Sequence, residues 1–263
     1  DGAGVREGDL TLATALRLER LLRDAGAEIW LTRRDSEPVT RLRPEDFLEE
    51  AASRLAGRED LAGEALAAAR RQLAERLFYR TAEIRARARL VNALIKPDLA
   101  LSLHVNAVAW PDPERPSLVE RNEGHVIVNG RYLEDELASD VQRFELMLRL
   151  ARRHEILETR AARCLADAMV EATGLKPYLY QGDNALRLDE AGYLWARNLL
   201  ANRTFDSPMV YLEPWIANSQ AVYEWAAAGD YEGERVFGGE PRRSLPAVYA
   251  AFVFQGLRDC FGE

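Results

Sequence analysis

The sequence has few cysteines, few lysines and no long apolar run, and each shortage excludes a class of protein. The two cysteines, Cys164 and Cys260, form no CxxC pair and have no histidine at ligand spacing, which excludes a zinc site built on thiolates. Only Lys96 and Lys176 are lysines and the net charge is -8, so the basic surface that nucleic-acid binding needs is missing. No apolar stretch approaches the roughly 20 residues that span a bilayer, so the sequence predicts no membrane span.

The sequence also lacks an initiator methionine and a signal peptide, because it opens directly at Asp1. We expect this to be the start of a mature or trimmed chain, with any export signal upstream of it. For the two cysteines we expect small, buried, apolar side chains. A disulfide between them requires that the two helices on which they lie be adjacent.

The residues that are present, 48% of them hydrophobic and 30% charged, are enough for a large folded core. Apolar residues at helical spacing predict helices at 8–25, 81–95, 134–173, 218–228 and 244–261. Apolar runs predict strands at 27–32, 98–105, 124–130, 193–198 and 208–213. The run at 98–105 is nearly continuous, which indicates a strand buried on both faces.

This alternation of helices and strands predicts an α/β fold. Without repeats or a flexible linker, we expect a single domain with a twisted, mostly parallel sheet and helices on both faces. Residues 37–80 are rich in Ala, Arg and Glu and predict a helical insertion within that domain.

Two polar residues end predicted strands. His104 follows the apolar run at 98–103, and Glu213 follows the run at 208–212. In an open α/β sheet, ligands bind in the crevice beyond the carboxyl ends of the strands. An unpaired buried carboxylate is strongly disfavoured, so a shared site with a metal or a substrate is one explanation for the pair. The alternative is a hydrogen-bonded structural histidine and a solvated carboxylate at a strand end.

Three segments together resemble the zinc-dependent N-acetylmuramoyl-L-alanine amidases of bacterial cell walls. They are residues 7–16 (EGDLTLATAL), 98–107 (DLALSLHVNA) and 208–218 (PMVYLEPWIAN). Residues 29–35 and 85–92 resemble the family's second strand and the helix before its histidine strand, in the same order. By this resemblance Glu7 and His104 are zinc ligands and Glu213 is the catalytic carboxylate.

The resemblance implies a Zn2+ cofactor, peptidoglycan as substrate, and hydrolysis of the amide bond between N-acetylmuramic acid and L-alanine. It also implies a periplasmic or extracellular protein. A protein activator is implied as well, because some family members carry a helix that covers the zinc and must be displaced by a partner. The family's first zinc ligand is a histidine in a Gly-rich turn after the first strand. No histidine precedes Glu7 here, so we expect that strand and ligand to lie upstream of Asp1.

Other residues are weaker candidates for the same site. Asn106, His125, Arg187 and Arg197 are candidate substrate-binding residues; surface ion pairing is the alternative for the arginines and a structural role for His125. His154 lies in a predicted Arg-rich helix, so we expect its side chain to be solvated. The acidic run 134–136 opens a long helical stretch, 133–160, and predicts either a covering helix or a helix start favoured by the helix dipole.

Three other functions remain open at this point. The first is a non-catalytic wall-binding or regulatory homologue that has lost a zinc ligand. The second is another zinc hydrolase on a similar sheet, such as a peptidase. The third is an α/β enzyme that uses no metal.

Overall fold

The computed structural model describes residues 4–110, 112 and 117–262, so residues 1–3, on which the expectation about the N-terminus depends, lie outside it. The α-helices of the described chain are α1 (Glu7–Asp24), α2 (Leu48–Arg54), α3 (Gly63–Leu77), α4 (Glu83–Leu90), α5 (Glu134–Leu137), α6 (Asp140–Arg152), α7 (His154–Thr173), α8 (Leu200–Arg203), α9 (Tyr223–Ala227) and α10 (Leu245–Phe261). Among them, none is both long enough and apolar enough to cross a membrane.

The strands are β1 (Ala100–Leu103), β2 (Glu123–Asn129), β3 (Lys176–Pro177), β4 (Leu186–Arg187), β5 (Leu194–Arg197), β6 (Met209–Glu213), β7 (Arg235–Phe237) and β8 (Glu240–Arg242). The main sheet has the order β1-β6-β2-β5-β4, with β3 beside β2. The pairs β1–β6, β2–β5 and β2–β3 are parallel, whereas β2–β6 and β4–β5 are antiparallel. The α/β fold with a mostly parallel sheet is therefore confirmed.

The two faces of this sheet differ in what they carry. Because successive side chains of a strand point to opposite faces, Val126 and Val128 of β2 and Val210 and Leu212 of β6 face one large core. Helices α1, α7 and α10 cover that face. The alternate residues of the same strands face the other way, and α4 and α8 cover one part of that side. We call this second side the site face.

Helices α7 and α10 pack closely, and a disulfide joins them. Cys164 on α7 and Cys260 on α10 are bonded, with their Cα atoms 5.8 Å apart. The expectation of two unbonded apolar cysteines is wrong, because the two helices turn out to be adjacent. Gly256 allows this approach, since a Cβ there would lie 2.9 Å from the backbone oxygen of Cys164.

Two strand predictions need correction. Residues 27–32 form no strand, and Trp30 is 61% exposed. Their apolar residues fit a strand, but no described strand pairs with them. The β1 strand is present, yet all four of its residues are only half-buried. The reason is that, among the described strands, β1 pairs with β6 alone and so forms an edge of the sheet.

The insertion predicted at 37–80 is helical in the structure. A 3-10 turn (Pro44–Phe47) leads into α2 and α3, which pack on each other around Ala51, Ala74 and Leu77. A π-helical turn (Phe78–Ala82) continues α3 directly into α4. This small cluster of apolar side chains is separate from the main core, in keeping with an insertion.

The helical stretch predicted at 134–173 is also confirmed, as α5, α6 and α7. The acidic run is a helix start, because the Glu136 carboxylate accepts a hydrogen bond from the Leu133 backbone N–H at 2.8 Å. His154, predicted to be solvated, is buried at the first residue of α7. Arg153, in a left-handed conformation, turns the chain between α6 and α7, and these two helices contact each other where His154 lies close to Arg149 and Arg152 of α6.

Candidate active site

The structure brings Glu7 and His104 into direct contact. Glu7 is the first residue of α1, and His104 directly follows β1, which α1 contacts. The Glu7 Oε1 atom lies 2.6 Å from His104 Nδ1 and also accepts the backbone N–H of Val105 at 3.2 Å. A carboxylate in the first turn of a helix is favoured by the helix dipole. Two residues 97 positions apart in the chain are therefore adjacent in the fold.

Two side chains fix the His104 ring on the site face. Its Nε2 atom lies 3.1 Å from the hydroxyl of Ser102, two residues earlier. The ring also stacks on Tyr211 of β6, with 4.0 Å between centroids and 10° between planes. The imidazole remains 34% exposed, so it is held in one orientation and still open to a ligand.

Glu213 ends β6 on the same face and contacts His125 of β2. The register of the antiparallel β2–β6 pair places these two residues directly opposite each other. Their side chains meet with 3.1 Å between His125 Nε2 and Glu213 Oε2. His125 is fully buried, whereas the Glu213 side chain is 18% exposed. The sequence left a substrate-binding or a structural role open for His125, and the structure makes it the neighbour of the candidate catalytic carboxylate.

Tyr180 and Arg197 complete this polar cluster. The Tyr180 hydroxyl lies 2.8 Å from His125 Nε2 and accepts a hydrogen bond from Arg197 Nη1 at 3.2 Å. The Arg197 guanidinium also lies over the Tyr180 ring, 4.8 Å from its centroid. Arg197 is thus part of the site.

The environment of Glu213 favours its ionised form. Burial raises the pKa of this carboxyl, but the hydrogen bond with His125 and the electrostatic interactions with His125, His104 and Arg197 oppose that effect and outweigh it. The net result is a pKa below the ordinary value for glutamate. Glu213 is therefore a carboxylate at neutral pH, shielded from bulk water and able to accept a proton.

The donors present are suited to zinc, but they do not make a complete site. Imidazole and carboxylate are common zinc ligands. The 2.6 Å between Glu7 Oε1 and His104 Nδ1 is a hydrogen-bond distance, shorter than the about 3.3 Å between two ligands of a tetrahedral zinc ion. Metal binding would therefore separate these atoms. Within residues 4–110, 112 and 117–262, no three His, Cys, Asp or Glu side chains are grouped to hold a metal.

The other candidate residues lie at different distances from this centre. Asn106 follows the His104 strand, and its backbone N–H and C=O pair with Trp215 and Ala217, in the loop after Glu213. This pairing ties together the two loops that follow His104 and Glu213. Arg187 lies exposed on β4, opposite Trp195 of β5. Its role in binding substrate stays a prediction.

Sequence reasoning missed several residues of the site. Ser102 and Tyr211 each lie two positions before a predicted site residue, so the period of two along a strand would have indicated them. Tyr249 on α10 gave no such signal. Its buried hydroxyl lies 3.1 Å from the carbonyl oxygens of both His104 and Leu212, and so connects the ends of β1 and β6.

No family model and no curated protein matches this chain. Among solved structures, it is similar to the N-acetylmuramyl-L-alanine amidase Ami1 from Mycobacterium smegmatis, with a TM-score of 0.52 at 14% identity, over 98% of this chain and 77% of that one. The apo form of Ami1 from Mycobacterium abscessus gives a TM-score of 0.50 at 17% identity, over 95% of this chain and 76% of that one. The chain therefore has the fold that its resemblance to cell-wall amidases predicts.

Proposed function

We propose that this protein is a peptidoglycan amidase that hydrolyses the bond between the lactyl group of N-acetylmuramic acid and L-alanine. Glu213 serves as the proton acceptor, and Glu7 and His104 are ligands of a zinc ion. The proposal requires a further protein ligand from outside the described residues, since zinc sites that activate water use three.

The main support is the convergence of Glu7, His104 and Glu213 on one face of the sheet. Glu7 contacts the His104 imidazole at 2.6 Å, and an electrostatic interaction with His104 contributes to lowering the pKa of Glu213. The fold shared with two N-acetylmuramyl-L-alanine amidases supports the choice of reaction.

The chain's own residues account for the proton transfers of amide hydrolysis. His104 and Glu7 would hold the zinc ion, which would polarise a water molecule and the amide carbonyl. Glu213 takes one proton from the attacking water as the water oxygen bonds to the carbonyl carbon. The same carboxyl then passes the proton to the amide nitrogen as the carbon–nitrogen bond breaks, which releases the stem peptide as a free amine.

The proposed substrate implies where the protein acts. Peptidoglycan lies outside the cytoplasm, so the proposal includes a periplasmic or extracellular location. The Cys164–Cys260 disulfide supports this, because disulfides persist in oxidising compartments. The protein activator stays a prediction of the resemblance.

Digestion of purified peptidoglycan by the full-length protein tests the proposal. We expect new free amino groups on L-alanine and free lactyl groups on muramic acid, identified by mass spectrometry of the released fragments. Glu213→Gln keeps the shape of the side chain and should lower the rate by about 100-fold or more. Glu64→Gln, an exposed change on α3 away from the site, is the matched control and should leave the rate unchanged.

Metal content is measured on the same samples. We expect one zinc per chain in the wild type and loss of zinc in His104→Ala and Glu7→Gln. New chain ends inside the stem peptide would instead identify a peptidase. Binding to the wall without any product would support the non-catalytic homologue, and full activity of Glu213→Gln would remove Glu213 from the mechanism.

A further inference from the structure

The buried cluster around His125 has no part in the proton transfers proposed above. His125 is fully buried on β2, with Tyr180 and Glu213 on either side of its Nε2 atom. Burying polar groups costs free energy unless they are hydrogen-bonded, and a polar network of this kind fixes the orientation of its members. The cluster therefore holds His125 in one orientation beside Glu213.

Hydrogen-bond accounting assigns the proton on the His125 ring. Its Nδ1 atom is buried and has no hydrogen-bond partner among the described residues. A proton on Nδ1 would be a buried donor without an acceptor, whereas a bare Nδ1 leaves only an unused lone pair. Nε2 has two oxygen atoms within 3.1 Å, from Tyr180 and Glu213. The proton therefore lies on Nε2, within reach of both the Tyr180 oxygen at 2.8 Å and the Glu213 carboxylate at 3.1 Å.

Arg197 determines how Tyr180 takes part. Its Nη1 atom donates to the Tyr180 oxygen, and its positive charge lies over the ring. Burial and the negative charge of Glu213 raise the pKa of Tyr180, so the phenol keeps its proton. Tyr180 thus holds the edge of the imidazole without competing as an anion for Glu213.

Several charged or titratable groups surround Glu213. They are His125 on β2, Arg197 on β5, Tyr180 after β3, Tyr211 on β6, Tyr249 on α10, His104 after β1 and, beside His104, Glu7 on α1. Of the described side chains, only His125 lies within hydrogen-bond distance of the Glu213 carboxylate. Its contact is made with Oε2, which leaves Oε1 as the oxygen free to accept a proton.

We propose that His125 is a positioning residue for Glu213: it donates its Nε2–H to Oε2, directs Oε1 toward the reacting water, and is itself held by Tyr180 and Arg197. This inference rests on the proposed function of Glu213 as proton acceptor. It assigns His125 no contact with substrate and no proton transfer. Its effect is on the orientation and the protonation of one carboxyl group.

Titration of the Glu213 carboxyl by 13C NMR tests this role without an activity assay. The Glu213 signal is identified by its absence in Glu213→Gln. In His125→Phe, which keeps a flat ring but removes the donor, we expect the midpoint to move upward by about one pH unit, because burial then acts unopposed by this hydrogen bond. His125→Gln retains an N–H donor and should restore part of the shift. Tyr178→Phe, from the same aromatic cluster, is the control and should leave the midpoint unchanged.

Kinetics on peptidoglycan fragments give a second readout. In His125→Phe we expect kcat to fall about tenfold, with KM and zinc content unchanged. The acidic limb of the kcat profile should move to higher pH with the NMR midpoint. An unchanged midpoint in a folded His125→Phe protein would overturn the positioning role even if the protein is an active amidase. If the midpoint shifts as expected in a protein that cleaves no peptidoglycan, the contact of His125 with Glu213 is supported and the proposed function is overturned instead.

A measurement on the wild type covers the case in which His125→Phe does not fold. The chain has three histidines, so 15N signals of the His125 ring are assigned by comparison with variants at positions 104 and 154. We expect a protonated Nε2 and a bare Nδ1. A bare Nε2 with the proton on Nδ1 would overturn the proposal, because Nε2 could then donate nothing to Glu213.

Discussion

His154 lies at the start of α7 with its ring only 8% exposed. Burial and the positive charges of Arg149 and Arg152 lower its pKa from 6.5 to about 4. In the unfolded chain the ring takes up a proton near pH 6.5, so the unfolded state binds more protons between these two values. We therefore expect the free energy of unfolding to fall by about 1 to 3 kcal/mol as the pH drops from 6.5 to about 4. Urea unfolding across this range measures it.

The variant His154→Gln provides the comparison for this prediction. Glutamine does not titrate, so the variant should lose the part of the pH dependence that His154 contributes and become less sensitive to acid than the wild type. Equal slopes of unfolding free energy against pH in the two proteins would show that the pKa of His154 is the same in the folded and unfolded states.

The Tyr249 hydroxyl lies between the His104 and Leu212 carbonyl oxygens, 3.1 Å from each. One hydroxyl proton serves one carbonyl at a time, so this group links the ends of β1 and β6 by an alternating hydrogen bond. We expect Tyr249→Phe to lower the free energy of unfolding by about 1 to 2 kcal/mol. It should also lower the hydrolysis rate, because one of these carbonyls belongs to His104 and the other directly precedes Glu213.

Tyr231→Phe is a matched control for that change. Tyr231 is also buried, and its hydroxyl donates to the Arg242 carbonyl at 2.9 Å, away from the site. It should show a similar loss of stability and no change in hydrolysis rate. Equal rates in the two variants would mean that Tyr249 is a structural residue alone.

The candidate site could be predicted only where its residues leave a local signal. His104 and Glu213 each end an apolar run, and parallel strands bring such ends to one edge of a sheet. The role of Glu7 as a ligand beside His104 was predicted from the resemblance alone. Tyr180 and Tyr249 join segments that are distant in the chain, and no spacing of residues encodes such a contact.

Gly256 controls how closely α10 approaches α7. A Cβ at this position would lie 2.9 Å from the Cys164 oxygen and 3.1 Å from the Leu165 Cα, both of them backbone atoms. Alanine stabilises a helix by up to about 1 kcal/mol relative to glycine, whereas overpacking a core lowers the free energy of unfolding by about 1 to 3 kcal/mol. We expect the second effect to prevail, so Gly256→Ala should lower the midpoint of thermal unfolding.

Gly8→Ala on α1 is the corresponding control. A Cβ at Gly8 meets only the Arg33 guanidinium, at an ordinary 3.6 Å. This variant should be as stable as the wild type or slightly more stable. A Gly256→Ala protein that is equally stable would mean that the two helices can separate at little cost.

Elements differed in how well the sequence predicted them. Helices α1, α7 and α10 follow from apolar periodicity, because a helix satisfies its own backbone hydrogen bonds. A strand also needs a neighbour to pair with, and residues 27–32 have the composition of a strand without such a neighbour among the described residues. The apolar pattern of a segment indicates whether it has the composition of a strand, but not whether a partner strand lies beside it.

At the scale of the whole molecule, the disulfide closes a long loop of the chain. Cys164 and Cys260 are 96 residues apart, and this span includes β3 to β8 and most of α10. Cross-linking so long a loop restricts the unfolded chain and typically stabilises a fold by about 2 to 5 kcal/mol. We expect Cys164→Ala/Cys260→Ala to lose stability in that range under oxidising conditions.

Reduction of the wild type should give the same loss. A reducing agent should lower the midpoint of urea unfolding of the wild type and leave that of the double variant unchanged. If the wild type is insensitive to reductant while mass spectrometry shows free thiols afterwards, the bond contributes nothing to stability.

The arrangement of the sheet as a whole was only partly predictable. The α/β class and the mostly parallel pairing follow from the alternation of helices and strands. The antiparallel pairing of β2 with β6 does not, although it is this pairing that places His125 opposite Glu213. Strand order depends on contacts summed over the entire chain, which no single segment specifies.

The position of Tyr249 in the chain has a consequence for the order in which the protein is made. Tyr249 lies 145 residues after His104 and 37 residues after Leu212, whose carbonyls it links. During translation, β1 and β6 therefore leave the ribosome before the side chain that joins their ends. The contact that joins these two strand ends therefore forms only once α10 has been synthesised and has docked. A partly made chain would thus lack the fixed geometry of the candidate site.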